Sequence, residues 1–329
     1  MILTGDVGGT KVNLALFDIN KGIPSLSVER SYVSRDYPDL VHLLEHFLKE
    51  TQPKLTHACL GVAGPVHEGR CEITHLPWEI NVRELKPLLG TDSVLLINDL
   101  AALAYGIPYL SDDEVEVIQE AQGEPNGSIG VLAAGTGLGQ AFLVPEEGGR
   151  YRVLETEGGQ CDFPARYALE VSLLEYLGQV SGRVCIEDVL SGPGLIRIFE
   201  FFKARDQETE PDWLSYEFEQ EEPAEVISRN GLSKKFRSCE KALEMFVSVY
   251  GAVAGNLALQ IMARGGIYIG GGIAPEILPL LKSHSFLEAF RDKGKSRGFM
   301  EQIPVKVVMN KSAPLLGAAY FALGENRIQ

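Results

Sequence analysis

Two glycine–threonine segments, each between apolar stretches, have the composition of phosphate-binding turns. The first is Gly5-Asp6-Val7-Gly8-Gly9-Thr10, and the second begins with Gly135-Thr136-Gly137 and continues to Gly139. Each predicts a strand, a tight turn and a second strand, because glycine lets the backbone reverse and approach a ligand closely. Backbone N–H groups in such turns point at an anion, usually phosphate. Two of these segments in one chain predict a nucleotide phosphate tail bound from both sides, as in a phosphoryl-transfer enzyme.

Two other phosphate-binding motifs fit this sequence poorly. Gly294-Lys295-Ser296 resembles the end of a Walker A loop, but Ala289 stands where that motif has its first glycine. The second glycine segment has the spacing G-x-G-x-G and leads into a strand, whereas a dinucleotide site has G-x-G-x-x-G and leads into a helix. A third run, Gly270-Gly271-Gly272, follows an apolar strand and strengthens the prediction of nucleotide binding.

Asp99 has two interpretations, and the sequence leaves both open. It follows Asn98 at the end of a predicted strand and precedes a segment of helical composition, which is the position of a helix N-cap. Ligand-binding residues also lie where a strand of an α/β sheet ends and a helix begins. On the functional interpretation, Asp99 is a general base that accepts a hydroxyl proton, a role that contributes about 10²–10⁴-fold to the rate.

Two glutamates lie in glycine-containing segments and could bind a polyol. Glu157 precedes Gly158-Gly159-Gln160, and Glu187 lies four residues before Ser191-Gly192-Pro193-Gly194. Carboxylate oxygens accept hydrogen bonds from neighbouring hydroxyl groups, so they suit sugar recognition. A single glutamate in a loop is more often a solvated charge, and the sequence alone does not decide between these readings.

These residues lie on a predicted alternation of strands and helices. Strands are predicted at 2–5, 12–18, 28–34, 57–62, 93–97, 129–144 as a hairpin, 266–272 into its glycine turn, and 305–309. Helices are predicted at 40–49, 100–107, 165–180, 194–203, 240–262 and 313–323, with a further helix from 274. The acidic stretch 206–225 is predicted to be a solvated excursion. The chain is thus predicted to be α/β, with a small domain at 1–108 plus 311–329 and a large domain at 109–310.

Composition excludes several classes of protein. The 329 residues are enough for two domains, and the net charge of −15 argues against nucleic acid or an anionic membrane as the main partner. The five cysteines are scattered and contain no C-x-x-C, which predicts reduced thiols rather than a disulfide framework or a zinc site. The sequence shows no targeting leader and no apolar stretch near the about 20 residues of a membrane helix, so we predict a cytoplasmic protein.

Taken together and in order, the motifs resemble bacterial-type glucokinase, in the hexokinase branch of the actin-like ATPase superfamily. The resemblance runs nearly end to end, and each motif alone is weak whereas the ordered set is specific. The matching segments are Asp6-Val7-Gly8-Gly9-Thr10, Ile97-Asn98-Asp99, Gly135-Thr136-Gly137-Leu138-Gly139, Glu157-Gly158-Gly159, Glu187 with Leu190-Ser191-Gly192-Pro193-Gly194, Gly270-Gly271-Gly272-Ile273 and Leu315-Leu316-Gly317-Ala318-Ala319.

The resemblance implies two actin-like (ribonuclease H-like) α/β domains flanking a cleft that binds glucose and Mg-ATP. It implies ATP-dependent phosphorylation of D-glucose at the 6-hydroxyl, the first step of glycolysis, with Asp99 as the base. Family members are usually homodimers that close around the sugar. The implied sugar-binding residues are Asn98, Glu157, Gln160 and Glu187, and the implied ATP-binding residues are Gly5, Asp6, Val7, Gly8, Gly9, Thr10, Gly135, Thr136, Gly137, Gly270, Gly271 and Gly272. Mg²⁺ would be carried by ATP near Asp6, with no direct protein ligand.

Two positions depart from the family pattern, both on the sugar side. Gln160 stands where the family commonly has histidine, and His75 stands where relatives often have asparagine. Glutamine both donates and accepts hydrogen bonds but cannot become charged, so we expect retained kinase activity with altered affinity or hexose choice. Trp78 either lines the sugar pocket or packs in the core.

The sequence is compatible with three functions. Glucose phosphorylation is the main prediction, and its enzyme alternative is a kinase for another hexose or an amino sugar. The alternative from a different class is a non-catalytic sugar sensor on the same fold. A pure sensor needs no general base, so the presence of Asp99 favours an enzyme. Only Cys161 lies near the sugar-binding segment, so no structural zinc is expected.

Overall fold

The computed structural model describes residues 1–73 and 76–325, which form an alternation of strands and helices. The strands are β1 (Ile2–Val7), β2 (Lys11–Asn20), β3 (Ile23–Val33), β4 (His57–Val62), β5 (Arg70–Glu72), β6 (Glu79–Asn81), β7 (Val94–Asn98), β8 (Val115–Gln119), β9 (Ile129–Ala134), β10 (Leu138–Pro145), β11 (Tyr151–Thr156), β12 (Gly266–Gly270) and β13 (Val305–Val308). The helices are α1 (Leu40–Thr51), α2 (Val82–Leu89), α3 (Asp99–Gly106), α4 (Ala168–Ser181), α5 (Gly192–Arg205), α6 (Asp212–Gln220), α7 (Pro223–Leu232), α8 (Arg237–Ile261), α9 (Ile273–Glu276), α10 (Leu278–Leu281), α11 (His284–Arg291), α12 (Arg297–Met300) and α13 (Ala313–Glu325). His75, one of the two departures from the family pattern, lies outside the described residues.

Residues Met1–Glu114, Tyr151–Glu155 and the segment from Asn310 onward form a first compact unit. Its five-stranded sheet has the order β3-β2-β1-β4-β7, in which β1, β2 and β3 are antiparallel while β1, β4 and β7 are parallel. Helices α1 and α2 cover one face of this sheet, and α3 and α13 cover the other. Because both faces are covered, the central strands β1 and β4 are buried along nearly their whole length.

Residues Val115–Arg150 and Thr156–Met309 form a second compact unit. Its strands β10, β9, β12, β13 and β8 lie in that order, with β9, β12 and β13 parallel and with antiparallel pairing of β10 to β9 and of β8 to β13. The long helix α8 runs through the core of this unit and is packed among α5, α7 and α11. By length and composition α8 could cross a membrane, which the sequence did not predict, but 78% of its most apolar window is buried inside the protein.

The two sheets share one arrangement. In each, a hairpin (β2-β1 or β10-β9) is followed by two further strands parallel to the first hairpin strand (β4-β7 or β12-β13). In both hairpins the connecting turn contains the glycine–threonine segment. The predicted strand–turn–strand structure is therefore confirmed for both glycine segments.

The predicted strands and helices are present with ends shifted by a few residues, and two predictions need correction. Strand β3 begins at Ile23, five residues before the predicted start, because Lys21 and Gly22 adopt positive φ angles of 54° and 81° and reverse the chain immediately after β2. The acidic stretch 206–225 is not a solvated excursion. It contains α6 and the first residues of α7, and within it Leu214 is fully buried in the core of the second unit while Trp213 and Phe218 pack against that core. The sequence analysis did not predict several short elements, namely β5, β6, β8, β11, α2, α6, α7, α10, α11 and α12.

Candidate active site

The first glycine turn joins β1 to β2 and is held by the residue that follows β3. The Gly8 N–H donates to the Lys11 carbonyl at 3.0 Å, and the buried Ser34 hydroxyl donates to the Gly8 carbonyl at 2.9 Å. The sequence did not predict this support from Ser34. Within residues 1–73 and 76–325, the N–H groups of Gly9 and Thr10 have no protein acceptor. Two backbone donors of this turn are therefore available to a ligand, whereas that of Gly8 is used by the turn itself.

Asp6 lies near the end of β1, beside the first turn. It faces Asn13 across the β1–β2 ladder, and the Asn13 side-chain amide lies 3.4 Å from the Asp6 carboxylate. The Ser31 hydroxyl in turn donates to the Asn13 carbonyl oxygen, which orients the amide. Burial raises the pKa of Asp6, although the Asn13 hydrogen bond and the Lys11 charge oppose the shift. Asn13 is a neighbour of the site that the sequence did not indicate.

The structure separates the two interpretations of Asp99. The N-cap of α3 is Asn98, whose side-chain oxygen accepts from the N–H groups of Leu100 at 3.0 Å and Ala101 at 3.3 Å. Asp99 is the first residue of the helix, and one carboxylate oxygen accepts from the Leu100 N–H at 2.8 Å. The capping role thus falls mainly to Asn98, which leaves most of the acceptor capacity of Asp99 unused.

Two carboxylates of the first unit influence each other. Burial, together with the negative charge of Asp6, raises the pKa of Asp99 to about 6. Hydrogen bonds from Leu100 and Asn98 oppose this shift. A carboxyl group with this pKa is mostly ionised at pH 7 and accepts a proton more readily than an ordinary aspartate does. Asp6, Asn98 and Asp99 therefore form one polar group at the ends of β1 and β7.

Two glycines bring α3 close to its neighbours and so determine where Asp99 lies. A Cβ on Gly61 of β4 would lie 2.9 Å from the Ala102 Cβ and 3.5 Å from the Asp99 Cα. A Cβ on Gly317 of α13 would lie 1.8 Å from the Ala102 carbonyl oxygen. Helix α3 is thus wedged between the sheet and α13 at distances that only glycine permits. Gly61 was not singled out in the sequence.

The second glycine turn is joined to Glu187. The Gly135 carbonyl accepts from the Gly192 N–H at 2.8 Å, and the Leu138 N–H donates to a Glu187 carboxylate oxygen at 2.7 Å. A Cβ on Gly137 would lie 2.7 Å from that same oxygen, so glycine at this position makes room for the carboxylate. Around Gly135, by contrast, a Cβ would meet no atom of the residues that the structure describes within 4 Å. The N–H groups of Thr136 and Gly137 have no acceptor in the described part of the chain.

The Gln160 side chain forms a hydrogen bond with the other carboxylate oxygen of Glu187. Its side-chain amide donates to this oxygen at 3.0 Å, while the Glu187 N–H donates to the Gly159 carbonyl at 2.9 Å. Glu157 lies at the start of the same short turn, where its carbonyl accepts from the Gln160 N–H at 3.0 Å and its side chain is exposed. The structure thus brings Glu157, Gln160 and Glu187 together beside the second glycine turn.

The third glycine segment ends β12 and lies against the end of β9. Gly271 has a φ of +84°, and a Cβ there would lie 2.3 Å from the Ala134 carbonyl oxygen. Both the conformation and the close approach therefore require glycine. The Gly135 turn and the Gly271 turn follow neighbouring parallel strands, so they lie side by side at one edge of the sheet.

An open groove of about 510 Å³ lies beside the helix that follows the third glycine segment. It is lined by Glu276 of α9 and by Glu225, Ser228, Arg229, Leu232 and Ser233 in and just after α7. An apolar side chain, hydroxyls and carboxylates are the groups that suit a heterocyclic base with an attached sugar. The sequence analysis predicted no helix over α7 and did not indicate its contribution to the groove; of the lining residues only Glu225 belonged to the stretch 206–225.

The structure decides between the two interpretations of Trp78. Trp78 is 3% exposed and packs in the core of the first unit, which settles its two interpretations in favour of packing.

Among residues 1–73 and 76–325, no group of three or more histidine, cysteine or acidic side chains could hold a metal ion. Asp6 is half-buried, and a carboxylate at this position fits a location near an ion that is bound mainly through substrate phosphates.

Known proteins that are similar to this chain include glucokinases from several organisms. The sequence profile of the family described as Glucokinase matches residues 3–325. A curated glucokinase from Synechocystis sp. is 41% identical, over 97% of this chain and 97% of that protein. The crystal structure of a glucokinase from an Antarctic psychrotroph superposes with a TM-score of 0.83 at 33% identity, covering 98% of each chain. A ROK family glucokinase from Streptomyces griseus, solved with glucose and AMPPNP, has a TM-score of 0.64 at 18% identity, covering 97% of this chain and 98% of that one, and shares the fold.

Proposed function

This chain belongs to the glucokinase family, and we propose on that premise that it transfers the terminal phosphoryl group of ATP to the 6-hydroxyl of D-glucose. The products are glucose 6-phosphate and ADP. The observation that carries the proposal is Asp99, an acceptor at the start of α3 with a pKa raised to about 6 and with the capping role taken by its neighbour. A kinase for another hexose is the second candidate, because Gln160 replaces the histidine common in the family.

Asp99 acts as the general base. Ionised at pH 7, it accepts the proton of the attacking hydroxyl as the bond from oxygen to phosphorus forms and the bond to the leaving ADP oxygen breaks. The Leu100 N–H fixes one oxygen of the carboxylate and leaves the other for the substrate. Asn98 contributes its side-chain amide to sugar binding, since its oxygen is committed to the helix cap.

Backbone donors of the two hairpin turns bind the phosphates. The N–H groups of Gly9 and Thr10 in one turn, and of Thr136 and Gly137 in the other, have no acceptor among the described residues and supply partial positive charge in a chain whose net charge is −15. Mg²⁺ would be carried by ATP and would neutralise phosphate charge there, with Asp6 near it but not a direct ligand. The groove between α7 and α9, next to the Gly270–Gly272 segment, accommodates the adenosine.

The sugar hydroxyls are bound by Glu157, Glu187 and Gln160 of the second unit. Each Glu187 oxygen already accepts one hydrogen bond, from Leu138 or Gln160, and retains a lone pair for a hydroxyl. Glu157 has an exposed side chain and lies in the same short turn as Gln160. In this arrangement Gln160 donates to Glu187 as a neutral group, so sugar binding in this part of the site does not depend on histidine protonation.

The family further supports four proposals about the whole protein: its location, its oligomeric state, its metabolic role and its division into domains. We infer that it is a cytoplasmic homodimer that feeds glucose into glycolysis, and that its small domain comprises 1–108 plus 311–329 and its large domain 109–310. Size-exclusion chromatography with light scattering tests the dimer directly. A monomer of 36.0 kDa would contradict it.

The test of function is Mg-ATP-dependent ADP release with glucose, mannose, fructose, glucosamine and N-acetylglucosamine. We expect a clear preference for glucose and loss of about 10²–10⁴-fold in kcat for Asp99→Asn with glucose binding retained. Preference for another sugar would keep the mechanism and change the substrate. Calorimetric sugar binding without turnover of any sugar would contradict the enzyme and support a sensor.

A further inference from the structure

One buried hydroxyl in the second unit lies at the ends of two strands that carry glycine segments. Tyr250 of α8 is fully buried, and its ring is packed edge-on against Phe246 and Phe286. Its oxygen accepts from the Ala134 N–H at 3.3 Å and donates to the Gly270 carbonyl at 3.4 Å. Ala134 is the last residue of β9 and Gly270 the last residue of β12, so a single side chain joins the two strand ends.

The surroundings explain why a hydroxyl is present in this apolar core. Burial raises the pKa of Tyr250, so the group stays protonated and keeps both its donor and its acceptor. A buried backbone N–H or carbonyl without a partner is costly, and both groups here belong to residues next to a turn. Phenylalanine would fill the same volume but leave the Ala134 N–H and the Gly270 carbonyl without this partner.

A second contact joins the same two segments. Gly271 lies so close to β9 that a Cβ would be 2.3 Å from the Ala134 carbonyl oxygen. Ala134 thus contacts the third glycine segment through its carbonyl and Tyr250 through its N–H. A shift of either turn is transmitted to the other, because Ala134 precedes Gly135 directly and Gly270 precedes Gly271.

We propose that Tyr250 is a positioning residue that holds the Gly135–Gly137 turn and the Gly270–Gly272 turn as one nucleotide-binding surface. The inference rests on the proposed function, in which the first of these turns binds phosphate and the second lies by the adenosine. Tyr250 touches no substrate and acts through Ala134 and Gly270. Its removal therefore weakens nucleotide binding and leaves sugar binding unchanged.

The test compares Tyr250→Phe with the wild-type protein in steady-state kinetics and in ADP binding by calorimetry. Both hydrogen bonds are longer than the usual ranges of about 2.7–3.2 Å for N–H···O and about 2.5–3.0 Å for O–H···O, so we expect about a 3- to 10-fold increase in KM for ATP and in Kd for ADP. The KM for glucose stays at the wild-type value. A wild-type protein without kinase activity would refute the proposed function, whereas an active wild type with unchanged ATP and ADP values in the variant would refute only the role of Tyr250.

Two controls separate positioning from general destabilisation. Tyr176→Phe removes a hydroxyl from a partly buried ring packed on the same core, and Leu173→Ala opens a cavity in that core at a residue of α4, which contains neither strand end. Neither should change the KM for ATP, and an equal increase in Leu173→Ala would overturn the proposal. Amide hydrogen exchange on the wild-type protein is independent of any variant: ADP should slow exchange in residues 134–137 and 270–272 together, and protection of one turn alone would refute their coupling.

Discussion

Gly137→Ala tests whether the second glycine turn serves the sugar site through Glu187. The new Cβ would lie 2.7 Å from a Glu187 carboxylate oxygen, whereas ordinary contact begins at 3.4 Å, so the carboxylate must move by about 0.7 Å. That movement breaks its hydrogen bond of 2.7 Å from the Leu138 N–H. A hydrogen bond to a charged group contributes about 1.5–3 kcal/mol, so kcat/KM for glucose should fall by roughly 10- to 150-fold.

The matched control is Gly135→Ala, two residues earlier in the same turn. A Cβ at this position meets no atom of residues 1–73 and 76–325 within 4 Å, so Glu187 keeps its place and the KM for glucose should not change. Steady-state kinetics with each substrate varied in turn distinguishes the two effects. If Gly137→Ala leaves the KM for glucose unchanged, or if both variants change only the KM for ATP, Glu187 does not depend on Gly137 and the reasoning is wrong.

The remaining predictions concern Asp99, the packing of α3 and the choice of sugar. First, kcat/KM for glucose should rise with pH through about 6, because protonated Asp99 cannot accept the hydroxyl proton; a profile flat from pH 5 to 7 would contradict this. Second, ionised Asp99 is unfavourable in the folded protein because its pKa lies above the unfolded value, so this cost is present above pH 6 and absent below pH 4. Asp99→Asn should therefore raise the free energy of unfolding in urea at pH 7 by roughly 1–3 kcal/mol but not at pH 4, and an equal effect at both pH values would exclude this cause. Third, Gly317→Ala collides with the Ala102 carbonyl and should destabilise by about 3 kcal/mol or more, measured by urea unfolding, whereas Gly324→Ala in the same helix meets no atom and should not destabilise. Fourth, Gln160→His should change the ratio of kcat/KM for glucose and mannose, and identical ratios would show that the Gln160–Glu187 hydrogen bond does not contribute to hexose choice.

Local sequence pattern predicted most of the elements, and the failures have local physical causes. The period of Leu40, Leu43, Leu44 and Phe47 indicates α1 because these side chains share one buried face. The start of β3 was missed because its first residues alternate with exposed serines and lie at an open edge of the sheet. The acidic stretch was misassigned because charge composition outweighed a few apolar residues, of which Leu214 is fully buried.

The candidate site was predicted as a set of residues, but its connections were not. Glu187 and the Leu138 N–H are 49 residues apart in sequence, and no spacing rule joins a loop glutamate to a turn so distant. The role of Asn98 as N-cap could not be predicted either, because asparagine and aspartate are equally good caps. Only the structure shows which side chain accepts hydrogen bonds from the first N–H groups of the helix. Ser34 and Tyr250 carry no motif, because each supports the site from inside the core.

The glycines show most clearly why a motif and its physical cause must be separated. In the first segment, Gly5 is required because a Cβ would lie 2.7 Å from the Leu60 side chain, which is a packing constraint within the sheet. In the second, Gly137 makes room for a carboxylate, while Gly135 faces open space. Only Gly271, among the glycines in the three segments, has a left-handed φ. Glycines in similar motifs are thus present for different reasons: packing, room for a charged side chain, backbone conformation and space for a ligand. Only the last of these reasons concerns phosphate directly. Among the described residues nothing contacts a Cβ at Gly135. A substitution there therefore measures most directly whether ligand binding requires glycine at this position.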